Sequence, residues 1–205
     1  EEADIVFYGD SIATGANSSG VIGVEPFAPG WPQMFADALS ARYPEAVINT
    51  VNTAVGGMKT QWGVDNVKER CTQYDPDLAV ICFGANDPDM TADVYYAKMK
   101  ELVEKVKADC PNAEIMLVST FVANKVVVGF YGNQYLFEDE LLKIAQERAD
   151  TGMISITTVE DFVLSRKRFC DITGNNVNHP SDFFARMYVQ SALASMFGVD
   201  YADEK

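Results

Sequence analysis

The stretch Ile5-Val6-Phe7-Tyr8-Gly9-Asp10-Ser11, an apolar run that ends in a small polar turn, decides the predicted fold. Comparable apolar or β-branched runs follow at 46–51, 78–83, 115–119 and 153–157. These runs are short and lack a regular polar alternation, which is typical of strands covered by helices on both faces of a sheet. The sequence therefore predicts five strands, most of them buried.

Helical patterns separate these strands. The segment 31–43 places Met34, Phe35, Ala38 and Leu39 on one face, and 91–109 repeats apolar side chains at helical spacing. Further helices are predicted at 62–71, 138–149, 159–166 and 181–197. The alternation predicts an α/β fold, a three-layer α/β/α flavodoxin-like sandwich with a mainly parallel five-stranded sheet. At this length we expect one domain over residues 1–205.

Composition narrows the range of partners. The chain has 205 residues, with 30 acidic and 16 basic side chains and a formal net charge of −14. This balance argues against nucleic acid or an anionic membrane surface as a partner, and no apolar stretch is long enough to span a membrane. Because the sequence begins at Glu1 and has no leader, we interpret it as a processed or excised domain.

The cysteines do not form a recognisable metal or redox motif. Cys71, Cys82, Cys110 and Cys170 include no CxxC pair, which excludes zinc-finger and thioredoxin interpretations. Cys82 lies inside an apolar run and is predicted to be a buried thiol. The sequence leaves open whether the other cysteines are free or bridged. With one histidine in the chain, multi-histidine metal sites are excluded.

Three of the predicted strands end in polar or glycine-rich turns. These turns are Gly9-Asp10-Ser11, the stretch Asn52–Thr60 with Gly56-Gly57, and Gly84-Ala85-Asn86-Asp87. Each of them alone is also typical of a structural turn or helix cap. However, ligands of parallel sheets bind outside the carboxyl ends of the strands, so together the turns predict a binding site there.

The single histidine, His179, lies in the polar stretch 175–182 before the last predicted helix. A serine on a tight turn and a distant histidine suggest nucleophilic acyl transfer, because imidazole accepts protons near neutral pH. No Gly-x-Ser-x-Gly motif is present, which argues against an α/β-hydrolase nucleophile elbow. This hypothesis requires Ser11 and His179 to meet in the fold.

These blocks, in this order, resemble the GDSL or SGNH hydrolase superfamily of esterases and lipases, and its carbohydrate acetylesterases in particular. The resemblance covers nearly the whole chain, and its four name residues match Ser11, Gly57, Asn86 and His179. It implies that Ser11 is the nucleophile and His179 its general base. It also implies an oxyanion hole formed by the N–H groups of Ser11 and Gly57 and the Asn86 amide, with no metal or organic cofactor.

One position departs from the family pattern, which places an aspartate three residues before the histidine. Here that residue is Asn176. Three interpretations stay open. The site is a Ser–His pair in which Asn176 or a backbone carbonyl orients the ring, another carboxylate such as Asp171 or Asp182 replaces the aspartate, or activity is weakened or lost. We favour the first, because Asp182 is predicted to lie at the start of the last helix.

The resemblance favours an acetylesterase that acts on plant polysaccharides or oligosaccharides. Its partner would then be an acylated small molecule or carbohydrate. We expect an extracellular location, with a cytoplasmic one as the alternative. Alternative functions are a lysophospholipase or thioesterase, and a degenerate member that binds glycans or proteins. The loop 122–134 is unusually apolar, and it could form a substrate wall or lid or pack in the core or at an interface. For its valines we favour packing in the core or at an interface. Four aromatic side chains could stack on a sugar or pack in the core, and for Trp62 we favour packing. They are Trp31, Trp62, Phe130 and Tyr131. The oligomeric state is left open.

Overall fold

The computed structural model describes residues 2–198 and contains one five-stranded sheet. The strands are β1 (Glu2–Gly9), β2 (Val47–Asn52), β3 (Leu78–Cys82), β4 (Glu114–Val118) and β5 (Thr151–Ile154). They lie in the order β2-β1-β3-β4-β5, and every neighbouring pair is parallel. This is the flavodoxin-like order, so the predicted fold class is confirmed. The single-domain prediction includes Glu1 and residues 199–205, which lie outside the described residues.

Helices cover both faces of the sheet. They are α1 (Trp31–Arg42), α2 (Thr60–Asp65), α3 (Val67–Arg70), α4 (Ala92–Asp109), α5 (Phe137–Gln146), α6 (Ile156–Leu164), α7 (Phe169–Ile172) and α8 (Asp182–Phe197). One apolar cluster packs β1 and β3 against α1, α6 and α8, and a second packs them against α2 to α5. No helix in residues 2–198 is long and apolar enough to cross a membrane.

The strand β1 shows why the sequence lacks polar alternation. Ile5 and Phe7 belong to the first cluster, whereas Val6 and Tyr8 belong to the second. Because successive strand side chains point to opposite faces, both sets must be apolar when both faces are covered. The strand therefore delivers the turn at its carboxyl end from a rigid, fully buried support.

Three local predictions are wrong. The strand β2 lies at the sheet edge and is largely exposed, so its polar residues Asn49 and Thr50 are solvated rather than buried. The helix predicted over 62–71 is divided at Asn66 into α2 and α3. The last strand ends at Ile154, and the β-branched residues that follow it already begin α6.

The four cysteines are free thiols. Cys71, Cys82 and Cys110 are buried, and Cys170 is exposed. Cys82 lies in β3 as a core side chain, in agreement with the sequence prediction. The fold therefore depends on its two apolar clusters, without covalent crosslinks among these residues.

Candidate active site

The turn after β1 is fixed from several sides. A side chain at Gly9 would meet the Cys82 carbonyl oxygen at 2.2 Å, so only glycine allows β1 and β3 to approach this closely. The indole Nε1 of Trp31 donates a 2.7 Å hydrogen bond to the Ile12 carbonyl oxygen behind the turn. Ser11, between these anchors, is only 8% exposed. Its position is therefore set by the rigid sheet and core rather than by a mobile loop.

The structure brings Ser11 and His179 together. Nε2 of His179 lies 2.8 Å from Oγ of Ser11, a hydrogen-bond distance between residues 168 positions apart. The histidine loop is held by Asn175, whose Oδ1 accepts hydrogen bonds from the N–H groups of three following residues. These residues are Val177, Asn178 and His179. A hydroxyl in direct contact with an imidazole is the arrangement that nucleophilic acyl transfer requires.

The other ring nitrogen faces residues that sequence reasoning missed. Nδ1 of His179 lies 2.6 Å from Oδ1 of Asn17 and 3.0 Å from Nδ2 of Asn175. Asn176 is exposed, and only its backbone forms hydrogen bonds among the described residues. Its N–H donates to Thr173 Oγ1, and its carbonyl oxygen accepts from Asn124 Nδ2. The side chain that occupies the orienting position is therefore Asn17, from the loop after β1.

Neither of the alternative carboxylates reaches the ring. Asp171 is bound to the backbone and guanidinium of Arg168. Asp182 accepts a 2.8 Å hydrogen bond from the N–H of Ser19, and it lies at the start of α8 as the sequence predicts. Among the described residues, Nδ1 of the imidazole therefore has side-chain amides as its partners and no carboxylate. Burial lowers the pKa of His179 below 6.5, which keeps the ring neutral and able to accept a proton at neutral pH.

Three candidate hydrogen-bond donors belong to the turns after β1, β2 and β3. Neither the N–H of Ser11 nor that of Gly57 donates a hydrogen bond within the described residues. Gly57 has φ 80°, in the left-handed region that favours glycine, and a side chain there would meet no atom within 4 Å. Nδ2 of Asn86 donates to the Met58 carbonyl oxygen at 3.0 Å, which leaves its second N–H free. Three donors are thus available for a developing oxyanion.

Two buried aspartates tie the strand ends together. The Asp10 carboxylate accepts from the N–H groups of Ile12 and Ala85, and so joins the turns after β1 and β3. Burial raises the pKa of Asp10 to about 7, although these hydrogen bonds lower it. The Asp87 carboxylate accepts from the N–H and hydroxyl of Thr60, which joins the turn after β3 to α2. These links set the spacing of the candidate donors.

The aromatic and apolar candidates separate into core and surface groups. Trp31 is fully buried and stacks on Tyr188, so it is a core residue. Trp62 contacts the rings of Tyr8 and Phe83, which agrees with the packing role that the sequence favours. Val126 and Val128 are 83% and 96% exposed, so they do not pack in the core, and their packing at an interface stays a prediction.

A cavity of about 450 Å³ lies between the loop after β4 and helices α6 and α7. Its lining residues are Val122, Ala123, Asn124, Lys125, Tyr131, Tyr135, Glu160, Asp161, Leu164 and Phe169. Glu160 is 2% exposed, and its Oε2 accepts a 2.7 Å hydrogen bond from the Val122 N–H. Burial raises the pKa of Glu160 to about 8, with a further increase from Asp161 and a smaller opposing effect of Lys125.

Glu160 is expected to make the protein less stable as pH rises from 5 to 8. In this window the unfolded carboxyl has lost its proton while the folded one retains it, so the free energy of unfolding falls with pH. We expect Glu160→Gln to remove this slope, with a gain in unfolding free energy over wild type of about 3–4 kcal/mol between pH 5 and pH 8, or about 6–16 °C in Tm. Thermal unfolding of both proteins at several pH values measures the difference.

Asp139→Asn is a matched control for this experiment, because Asp139 is an exposed carboxylate on α5. We expect it to keep the wild-type pH dependence. Asp10 contributes a slope of the same sign, so a smaller decline remains in Glu160→Gln. Parallel curves for wild type and Glu160→Gln would contradict the prediction.

Solved structures share this fold at low sequence identity. A mutant of Axe2, an acetyl-xylooligosaccharide esterase from Geobacillus stearothermophilus, superposes with a TM-score of 0.77 at 20% identity, covering 95% of this chain and 94% of that one. LAE5, an alpha/beta hydrolase enzyme from the Lake Arreo metagenome, gives 0.75 at 18% identity, with 96% of each chain covered. Other Axe2 structures are catalytic mutants in which a serine, an aspartate or a histidine is replaced by alanine.

The sequence profile of the GDSL-like lipase/acylhydrolase family matches residues 7–182. This range includes every strand end and loop described above, from the turn after β1 to the start of α8. No curated protein sequence matches the chain. Because the family profile spans most of its length, the chain belongs to the GDSL-like lipase/acylhydrolase family and is a carboxylic ester hydrolase.

Proposed function

We propose that this hydrolase uses Ser11 as nucleophile and His179 as general base to remove acetyl groups from carbohydrates. The observation that carries the catalytic part is the 2.8 Å contact between Oγ of Ser11 and Nε2 of His179. It lies at the carboxyl ends of the strands, where ligands of parallel sheets bind.

In the first half-reaction, Oγ of Ser11 attacks the ester carbonyl carbon while its proton passes to Nε2 of His179. The N–H groups of Ser11 and Gly57 and the free N–H of Asn86 donate to the tetrahedral oxyanion. His179 then returns the proton to the departing alkoxide oxygen. An acyl-serine and a free sugar hydroxyl result.

The second half-reaction repeats these roles with water. His179 takes a proton from water as its oxygen attacks the acyl carbon, and the same three donors stabilise the second oxyanion. The proton then passes to Oγ of Ser11, which leaves as a hydroxyl while acetate is released. Each step uses only the chain's own side chains and amides.

The carbohydrate part of the proposal has separate support. The similar Axe2 acts on acetylated xylooligosaccharides, as its name states. A lysophospholipase or thioesterase would need the loop 126–131 to line an acyl pocket, but Val126 and Val128 face solvent. The acidic surface, with its formal charge of −14, also suits a neutral glycan better than an anionic lipid. Location outside the cell stays a prediction that cell fractionation would test.

Hydrolysis of p-nitrophenyl acetate, butyrate and octanoate, measured beside acetate release from acetylated xylan and mannan, tests the proposed function. We expect acetate to be the preferred acyl group and at least one polysaccharide to be deacetylated. Activity that rises with chain length would move the assignment to lipid or thioester substrates. Absence of turnover on every ester would favour the degenerate binding member.

Asn86→Ala is expected to lower kcat for p-nitrophenyl acetate by about 10²-fold, because removal of one oxyanion donor costs about 10²–10³ in rate. KM should change much less, since this donor acts mainly on the transition state. Asn66→Ala is a matched control, because Asn66 donates to Trp62 at the break between α2 and α3. Equal kcat in Asn86→Ala and wild type would show that the Asn86 side chain does not stabilise the oxyanion.

A further inference from the structure

The cavity between the loop after β4 and helices α6 and α7 has a lining that suits a neutral, hydroxyl-rich ligand. Tyr131 and Tyr135 stack with ring planes 11° apart and centroids 6.4 Å apart, and Phe169 adds a third ring to the lining. Asn124 and Asp161 place polar groups beside these rings. Aromatic surface combined with a few fixed polar groups is the usual composition of a small-molecule site, and 450 Å³ lies within the usual range.

Glu160 provides an independent indication that the cavity holds a polar ligand. Its side chain lines the cavity at 2% exposure, and Oε2 is bound to Val122 N–H. Among residues 2–198 no hydrogen bond reaches Oε1, and Oε1 is not one of the fully buried polar atoms that lack a partner, so it keeps contact with accessible space. A hydroxyl group of a ligand would bind this oxygen, whereas an alkyl chain would cover it without a hydrogen bond.

The charges on the cavity wall favour a neutral ligand over an ion. Lys125 is the one cation among the lining residues, and Asp161 belongs to the same lining. An anionic ligand would meet the Asp161 side chain, and a cationic ligand would meet Lys125. The lining therefore fits an uncharged ligand that offers both donors and acceptors.

The cavity is joined to the histidine loop. The N–H of Asn124 donates to the Val177 carbonyl oxygen at 2.7 Å, and its side-chain Nδ2 donates to the Asn176 carbonyl oxygen at 3.1 Å. Val177 is two residues from His179, and two residues span at most about 7 Å. On its other side, α7 leads through Ile172 directly into the same loop. A ligand in the cavity therefore lies beside the loop that carries His179.

We propose that the cavity lined by Tyr131, Tyr135 and Glu160 is a subsite for a neutral sugar unit, neighbouring the acylated unit of an oligosaccharide bound at Ser11. The subsite rests on the proposed function, and it would give the enzyme a preference for acylated oligosaccharides over small esters. The face of a pyranose ring would lie on the tyrosines, and its hydroxyls would bind Glu160 and Asn124.

The test uses the double variant Tyr131→Ala/Tyr135→Ala, with Tyr74→Ala as control because Tyr74 is an exposed tyrosine outside the cavity lining. Binding of unacetylated xylotetraose, mannotetraose and cellotetraose is followed by NMR titration, which does not depend on turnover. We expect at least one of these sugars to bind wild type and Tyr74→Ala, and its affinity to fall about tenfold or more in the double variant. A sugar affinity that the double variant leaves unchanged, or absence of binding by all three sugars, would overturn the subsite.

Kinetics separate the subsite from the proposed function. We expect the double variant to lose about tenfold or more in kcat/KM on an acetylated oligosaccharide of the sugar that binds, while p-nitrophenyl acetate hydrolysis stays within about twofold. Equal losses on both substrates would overturn the subsite and leave the esterase assignment intact. Failure of wild type to deacetylate any carbohydrate would overturn the proposed substrate, whereas the binding titration would still decide whether the cavity holds a sugar.

Discussion

Replacement of Ser11 by alanine is expected to lower kcat for p-nitrophenyl acetate by about 10⁴–10⁶-fold, since the nucleophile and its base act as one unit. The substitution removes a single oxygen that contacts His179 in a nearly buried position. We therefore expect the Tm to change little. A residual rate above water is expected from the oxyanion donors, which Ser11→Ala retains in its backbone.

Ser181→Ala is the matched control for this prediction. Ser181 is two residues from His179, and its Oγ is buried without a hydrogen-bond partner in the described part of the chain. Loss of that hydroxyl should leave kcat close to wild type. If Ser11→Ala retained more than about one hundredth of the wild-type rate, another nucleophile would have to be sought.

The fold could be predicted because its signals are local and repeated. The run Ile5–Tyr8 is apolar at consecutive positions, and only a strand with helices on both faces requires that pattern. The exposure of the edge strand β2 could not be predicted in this way, because burial depends on strand order, which local sequence does not encode. The break at Asn66 likewise depends on how two short helices pack against α4.

The candidate site likewise contains residues that the sequence predicts and one that it does not. Ser11, Gly57, Asn86 and His179 follow strands or precede a helix, so the topology itself carries them to one edge of the sheet. Asn17 could not be found by that reasoning. It lies in a glycine-rich loop with φ 66°, and the path of the loop alone brings it to His179. The only local signal was a small polar residue that tolerates the left-handed region, which many loops contain.

The imidazole of His179 lies between two amides that favour opposite tautomers. Oδ1 of Asn17 accepts a proton from Nδ1, which leaves Nε2 free to accept the Ser11 proton. Asn175 presents its donor Nδ2 to the ring. This amide cannot turn its oxygen toward Nδ1 instead, because Oδ1 accepts from three backbone N–H groups. Donation to Nδ1 would place the ring proton on Nε2, where it prevents base catalysis.

Asn17→Ala is therefore expected to lower kcat by about 10³–10⁴-fold, the scale of a wrong-tautomer defect in a related constellation. With Asn17 removed, Asn175 is the remaining side-chain partner of Nδ1. The chain has a single histidine, so imidazole NMR shifts report its tautomer without ambiguity. We expect Nδ1–H in wild type and a shift toward Nε2–H in Asn17→Ala.

Asn17→Asp is expected to act in the opposite direction, since a carboxylate both fixes Nδ1–H and stabilises the imidazolium of the transition state. We expect kcat to rise about tenfold, and the lower inflection of the pH–kcat/KM profile to move up by about one unit, because an anion raises the histidine pKa that burial lowers. Asn176→Asp is the matched control. It restores the aspartate three residues before the histidine, but its exposed side chain does not reach Nδ1, so neither kcat nor the inflection should change. A gain in Asn176→Asp with none in Asn17→Asp would mean that the histidine loop rearranges to place residue 176, rather than residue 17, beside Nδ1 during catalysis.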